Sequence, residues 1–232
     1  MADIRIGRMV LGVCQTNCYF VYHEGGGDAI VIDPPDQGEK IYVALKRNGF
    51  EVKAVFLTHG HFDHIWGCEG LLAAANEMDL DDGGNEQGGD AEECSAKKVK
   101  VYALEAEKEV LNDARKNVSS GMHRPYTMDA DVYVKDGEVL DVAGITCKVI
   151  ATPGHTAGGC CYYFEEAGLL VSGDTLFQES VGRTDFPTGS MGTLVRSIKD
   201  KLFVLPDETK VYPGHGDSTT IGHEKQYNPF CG

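Results

Sequence analysis

Residues 58–64 read T-H-G-H-F-D-H, three imidazoles and one carboxylate within six positions, directly after the apolar run 52–57. No other stretch constrains the chain as tightly. Polar rings crowded at the end of a buried strand cost free energy unless something binds them. Histidine supplies neutral nitrogen ligands and aspartate an anionic oxygen, a mixture suited to zinc, iron or manganese more than to calcium. His59 and His61 are two residues apart in a strand exit, so their rings can point to the same side. Asp63 and His64 follow as the chain turns into a helix, far enough around to address a second ion.

Three later turns each bring one further ligand type. They are P-G-H-T at 153–156, S-G-D-T at 172–175 and P-G-H-G at 213–216, each after an apolar strand. Strand, turn, then His155, Asp174 or His215 is a placement that collects ligands from separate strands along one sheet edge. A single P-G-H would be weak evidence; two of them with S-G-D, after the 58–64 run, make a metal site. His23, His123 and His223 have no comparable setting and are expected in packing or surface roles.

Around these motifs the chain alternates strand-like and helix-like runs. Strands are expected at 4–13, 18–22, 29–32, 52–57, 99–103, 132–134, 145–151, 161–164, 169–172 and 210–212. Helices are expected at 38–47, 65–75, 105–116 and 191–202, with a short terminal one from Ile221. Two halves of strands followed by helices fit an α/β architecture of two packed sheets beneath outer helices. With 232 residues, 42% of them hydrophobic, one compact domain spanning residues 1–232 is expected.

The formal net charge of -15 repels phosphate backbones and argues against nucleic acid as a partner. The eight cysteines are spread along the chain in no dense spacing and are expected mostly as free thiols. No apolar run approaches the ~20 residues of a membrane helix, and the first ten residues are not organised as a secretory signal. A cytoplasmic protein with no membrane partner is the expectation. Residues 79–93 hold seven acidic residues and four glycines and no aromatic. They read as a solvated acidic, glycine-rich loop at about 79–97.

The H-x-H-x-D-H run with its downstream His, Asp and His resembles the metallo-β-lactamase superfamily, from about Asn17 to Phe230. That resemblance implies a four-layer αββα sandwich. It implies that His59, His61 and His155 hold a first divalent ion, that Asp63, His64 and His215 hold a second, and that Asp174 bridges them. Zinc is the first choice, with iron and manganese accepted by the same ligands. Asp33, ending the strand A-I-V-I-D, would either orient a ligating histidine, as that resemblance implies, or simply cap its turn.

Two cations sharing one water lower its pKa from ~16 towards ~7, so hydrolysis is the natural chemistry, with Asp63 also catalytic in orienting the nucleophile. The stretch G-D-T-L-F-Q-E-S-V-G-R-T-D-F at 173–186 and the ending Y-P-G-H-G-D-S-T-T-I-G-H-E-K-Q-Y-N-P-F are similar to the glyoxalase II group, in its compact form without an added C-terminal helical domain. This implies hydrolysis of a small-molecule thioester of the hydroxyacylglutathione (S-lactoylglutathione) type. Arg183 can meet a substrate carboxylate or brace the site loop through Asp185. A rival reading is an iron-dependent persulfide dioxygenase, a group that also carries G-R-T-D-F but whose C-terminal motif reads P-A-H-D-Y where this chain has P-G-H-G. A further one is a non-catalytic binding or sensor module stabilised by its metals. Oligomeric state is not legible.

Overall fold

In the computed structural model, which describes residues 3–81 and 99–231, two sheets pack face to face with helices on their outer sides. The first sheet holds β1 (Ile4–Leu11), β2 (Thr16–His23), β3 (Gly27–Ile32), β4 (Phe50–Phe56), β5 (Lys100–Leu104) and β6 (Val132–Val134), adjacent in chain order. β1 to β3 form an antiparallel meander, and β3 to β6 run parallel. The second sheet is built from β7 (Val139–Val142), β8 (Ile145–Ala151), β9 (Cys160–Phe164), β10 (Leu169–Gly173), β13 (Lys210–Pro213) and β14 (Thr219–Thr220) in the order β14-β13-β10-β9-β8-β7. Only its β10 and β13 pair in parallel. β11 (Leu176–Phe177) and β12 (Ser180–Val181) make a small separate hairpin.

The two-residue period of the strands builds the layers. In β3, Ile30 and Ile32 enter the core between the sheets, while Val31 enters the core beneath the outer helices. β4 does the same with Ala54 and Phe56 inward and Val55 outward. In β9, Cys160, Tyr162 and Phe164 face the first sheet, and Cys161 and Tyr163 face the opposite way. Strands sandwiched on both faces need no polar side, which is why β9 and β10 are buried throughout. Each fully buried aliphatic chain contributes about 1.5–3 kcal/mol relative to exposure.

α1 (Gly38–Arg47) and α3 (Cys68–Asp81) cover the first sheet, packed on each other. α1 buries Ile41, Tyr42 and Leu45, a helical stripe, and carries Glu39 in its first turn and Lys46 and Arg47 in its last, as the helix dipole favours. α5 (Met191–Ser197) and the π-helical turn Ile198–Leu202 cover the second sheet through Leu194, Ile198 and Leu202. Short helices α2 (Phe62–Ile65), α4 (Lys108–Leu111) and α6 (Ile221–Tyr227) complete the α-helices among the described residues. The layering is therefore the αββα sandwich expected.

Several expected boundaries differ. The helix expected at 65–75 is two: α2 starts at Phe62, and after a break at Trp66 and Gly67, α3 runs on to Asp81, past the start expected for the acidic loop. The rest of that loop, 82–97, lies outside the described residues. The helix expected at 105–116 is a 3-10 turn over Glu105–Glu107 followed by α4. It stops at Asn112, because Asp113 accepts from the Arg115 backbone N–H at 2.8 Å and so competes with the helical bond. β7 lies in a stretch where no strand was expected.

Candidate metal centre

The polar cluster sits where strands of both sheets end. The loop after β4 carries His59 and His61, and α2 carries Asp63 and His64 in its first turn, rotated away from the preceding pair. His155 follows β8, Asp174 follows β10 and His215 follows β13. All seven residues expected from the sequence therefore come together from four strand ends. Ligand atoms of His59, His61 and His155 lie within 4.8 Å of one another, as do those of Asp63, His64 and His215.

Hydrogen bonds behind the rings determine which nitrogen faces inward. His155 Nδ1 donates to the Arg183 carbonyl at 2.7 Å, which leaves Nε2 as a lone pair, 2.9 Å from His61 Nδ1 and 3.3 Å from His59 Nε2. Asp33 accepts from the Thr58 backbone N–H at 2.8 Å and from the Thr58 hydroxyl at 2.6 Å. Having given its proton to Asp33, that hydroxyl accepts from His59 Nδ1 at 3.1 Å. Asp33 also takes the His64 Nδ1 proton at 2.9 Å. A third grouping, Asp33 with His59 and His64, has the geometry of a ligand set, but this network occupies it with protons. Of its two expected places, Asp33 thus stands in the orienting one, behind His64.

Asp174 lies between the two groups. Its Oδ2 is 3.6 Å from His155 Nε2 and 3.5 Å from His215 Nε2, and its Oδ1 is 3.5 Å from His64 Nε2. Gly214 permits that approach, since a Cβ there would collide with Asp174 Oδ1 and His64 Cε1. Asp63 Oδ2 is 3.3 Å from His215 Nε2 and accepts from the Thr16 hydroxyl at 3.0 Å.

The electrostatics divide the cluster. Burial holds His59 well below the ordinary histidine pKa, with the neighbouring imidazoles adding to it, and holds His61 at about 3. Both are neutral, ligand-ready rings. Burial opposes charge on His64 as well, yet Asp174, Asp63 and Asp33 together raise its pKa well above the ordinary value, and hydrogen bonds to Asp174 and Asp63 overcome burial to bring His215 to about 9. Burial alone would lift the two carboxylates; the rings of His64 and His215 depress Asp63, and His64 above all depresses Asp174.

These residues fit divalent cations. His64 Nε2 and Asp174 Oδ1 are buried and have no hydrogen-bond partner, although each faces the cluster. Neutral nitrogens with anionic oxygens are the donor set of zinc, iron and manganese.

Other expected residues lie around the cluster. Arg183 is exposed and paired with Asp185 through bonds of 2.8 and 2.7 Å, its guanidinium 3.9 Å over the Phe186 ring; the pair holds Asp185 at about 2. Of its two expected roles, the brace is the one these contacts make, and its carbonyl additionally fixes His155. His223 bonds Glu179 at 3.0 Å, and His123 lies edge-on against Trp66. Cys160 and Cys161 are buried free thiols. Sequence reasoning missed Thr16, Thr58, Asn17 and Glu107. Asn17 donates to the carbonyls of Pro213 at 2.8 Å and Gly216 at 3.0 Å, anchoring the His215 turn. Only Thr58 had a local signal, its place beside His59.

A sequence model described as the metallo-beta-lactamase superfamily matches residues 11–77 and 88–215. A Haemophilus influenzae protein named hydroxyacylglutathione hydrolase GloC is 32% identical over 220 residues, 93% of this chain and 92% of its own. The crystal structure of BLEG-1 B3 metallo-beta-lactamase superimposes with a TM-score of 0.82 at 34% identity, covering 98% of this chain and 99% of the other. That of TTHA1623 in a di-iron-bound form gives 0.74 at 31% identity over 97% and 99%. No helix among the described residues is long and apolar enough to cross a membrane.

Proposed function

The chain belongs to the metallo-β-lactamase superfamily, and from that premise we propose that it is a two-metal hydrolase of small-molecule thioesters of the hydroxyacylglutathione type. In this reading His59, His61 and His155 hold one divalent ion, Asp63, His64 and His215 hold the other, and Asp174 bridges them. The observation that carries it is Asp174, whose two oxygens face rings from both ligand groups at 3.5–3.6 Å. Zinc remains the first choice, and the di-iron form of TTHA1623 favours testing iron beside it. The thioester substrate is supported by the likeness of residues 173–186 and of the chain's ending to the glyoxalase II group, and by the name of the Haemophilus relative.

When bound, the two cations supply Lewis acidity towards a carbonyl and make water a nucleophile near neutral pH. The chain's own residues place the reactants. Thr16 donates to Asp63 Oδ2 and so holds the carboxylate where it would orient the attacking water besides holding the second ion. Neutral His59 and His61 keep the lone pairs with which they would hold the first ion. The Arg183–Asp185 pair and Phe186, whose ring lies 5.4 Å from His61, form one wall of the approach.

The test is purification without added metal, elemental analysis, and turnover of S-lactoylglutathione, a chromogenic β-lactam and glutathione persulfide on the same sample, the last with oxygen uptake followed. Two ions per chain with thioester cleavage and no oxygen consumption is the expected result. One iron with oxygen uptake on persulfide would replace the reading by the dioxygenase. Two ions with no thioester turned over would replace it by another hydrolase or a binding module.

A further inference from the structure

Glu107 is 1% exposed and sits in the 3-10 turn at the end of β5, outside the ligand cluster. Burial pushes its carboxyl up to about 7, a cost that its hydrogen bonds offset in part. Three donors meet this side chain. The Gly60 backbone N–H donates to Oε1 at 2.8 Å; the Thr156 hydroxyl at 3.0 Å and the Gly158 backbone N–H at 2.8 Å donate to Oε2.

The positions of those donors point to a role. Gly60 lies between His59 and His61, and Thr156 follows His155 directly. One oxygen therefore holds the loop after β4, in the first sheet, and the other holds the loop after β8, in the second. Gly158 lets the second loop come against the turn, since a Cβ there would overlap the backbone of Ala106 and Glu107. The nitrogens of His59, His61 and His155 meet only if these two loops keep their mutual position. No other side chain among the described residues is hydrogen-bonded to both loops by its two carboxylate oxygens in this way.

We propose that Glu107 is a positioning residue for the first metal position, a carboxylate clamp that fixes the loop of His59 and His61 against the loop of His155 and so sets the affinity of that position alone. The inference rests on the ligand division proposed above. Glu107→Gln keeps the size of the side chain but presents an amide NH2 on one side. With its oxygen towards Thr156 and Gly158, the amide nitrogen faces the Gly60 N–H, donor against donor, and the first loop is released. The reverse orientation releases the second. Either way one half of the clamp opens.

The experiment measures ion affinity by chelator competition, with the visible spectrum of the cobalt-loaded protein as a second readout. In a His215→Ala background, where His59, His61 and His155 remain whole, Glu107→Gln should weaken the remaining ion by about 10–100-fold and shift the cobalt bands. In a His61→Ala background it should change the affinity of the remaining ion by less than about threefold. Thr156→Val, which removes one of the three bonds without changing shape, should weaken the same position in the same direction, and serves if Glu107→Gln does not fold. Equal loss at both positions would assign Glu107 to general stability and overturn the proposal, as would unchanged affinity in both variants. If instead the His215→Ala parent binds no ion while carrying an intact Glu107, the ligand division has failed, and the two failures are told apart.

Discussion

Replacing Asp33 with asparagine tests how far the second metal position depends on a residue that touches no substrate. Asp33 Oδ1 accepts from the Thr58 N–H, and Oδ2 accepts from both the Thr58 hydroxyl and His64 Nδ1. An amide cannot accept on both sides. With its oxygen in the Oδ2 position, the NH2 opposes the Thr58 N–H, and a buried donor left unpaired costs about 1–3 kcal/mol. Turned over, the NH2 opposes His64 Nδ1, which then has to accept, and the ring proton moves to Nε2, the atom facing Asp174 and Asp63. Both arrangements also remove the anion that makes His64 a basic ligand. Losses of this kind reach 10–100-fold in metal affinity, about 1.4–2.8 kcal/mol at ~1.4 kcal/mol per tenfold. Chelator competition on Asp33→Asn should show the ion held by Asp63, His64 and His215 weakened in that range, and the other ion weakened less, since Asp33 reaches His59 only through the Thr58 hydroxyl. A second ion bound within twofold of wild type, at an unchanged thermal midpoint, would refute the reasoning.

Other outcomes follow from the same geometry. His61→Ala should reduce hydrolysis by at least about a hundredfold with the circular dichroism spectrum preserved, whereas His123→Ala, a residue packed on Trp66, should leave metal content unchanged by elemental analysis. Asp174→Asn should lower stoichiometry from two ions towards one, because an amide supplies no charge and bridges poorly, while His215→Ala should keep the ion of His59, His61 and His155; the opposite order in a metal titration would contradict the assignment. Ligation needs neutral imidazole, and in the ion-free protein His215 holds its proton up to about 9, with His64 also raised. Protons compete with the second ion below that pH, so its affinity should climb as pH rises towards 9 and loading at pH 7 should release protons, which calorimetry in buffers of different ionisation enthalpy would detect.

The seven candidate ligands were legible because each follows a strand closely and lies in or beside a turn signal, so that T-H-G-H-F-D-H, P-G-H-T, S-G-D-T and P-G-H-G gather all seven. α1 was legible to the residue, since its buried stripe and charged ends agree with each other. The segment after β5 was not. Its apolar spacing suits a helix, yet Asn112 and Asp113 end it early and Glu107 turns inward to loops about 47 and 51 residues away in sequence. Nothing local marks Glu107 as different from Glu105 or Glu109. Thr16 and Asn17 are hidden for the same reason: their partners are Asp63 and the turn 213–216, and only the sheet packing brings them together.

Contacts of the same long-range kind explain why the site holds its shape through protein groups alone. Four of the candidate ligands follow a strand of the first sheet and three follow strands of the second, so the halves must be registered before these seven side chains can meet. The registering contacts are hydrogen bonds across the sheets at the same edge. Asn17 N–H donates to the Gly214 carbonyl at 2.7 Å, Tyr19 Oη to the Pro213 carbonyl at 2.8 Å, Cys160 N–H to the Thr58 carbonyl at 2.8 Å and Tyr162 Oη to the Leu57 carbonyl at 2.9 Å. Each falls within two residues of a ligand on at least one side. A buried backbone carbonyl must be paired somewhere, and here the pairing that satisfies it also fixes the distance between ligand loops. The conformational cost of assembling the cluster is thus met during folding by groups that need partners in any case, and any ion would enter a cluster whose rings already point inward.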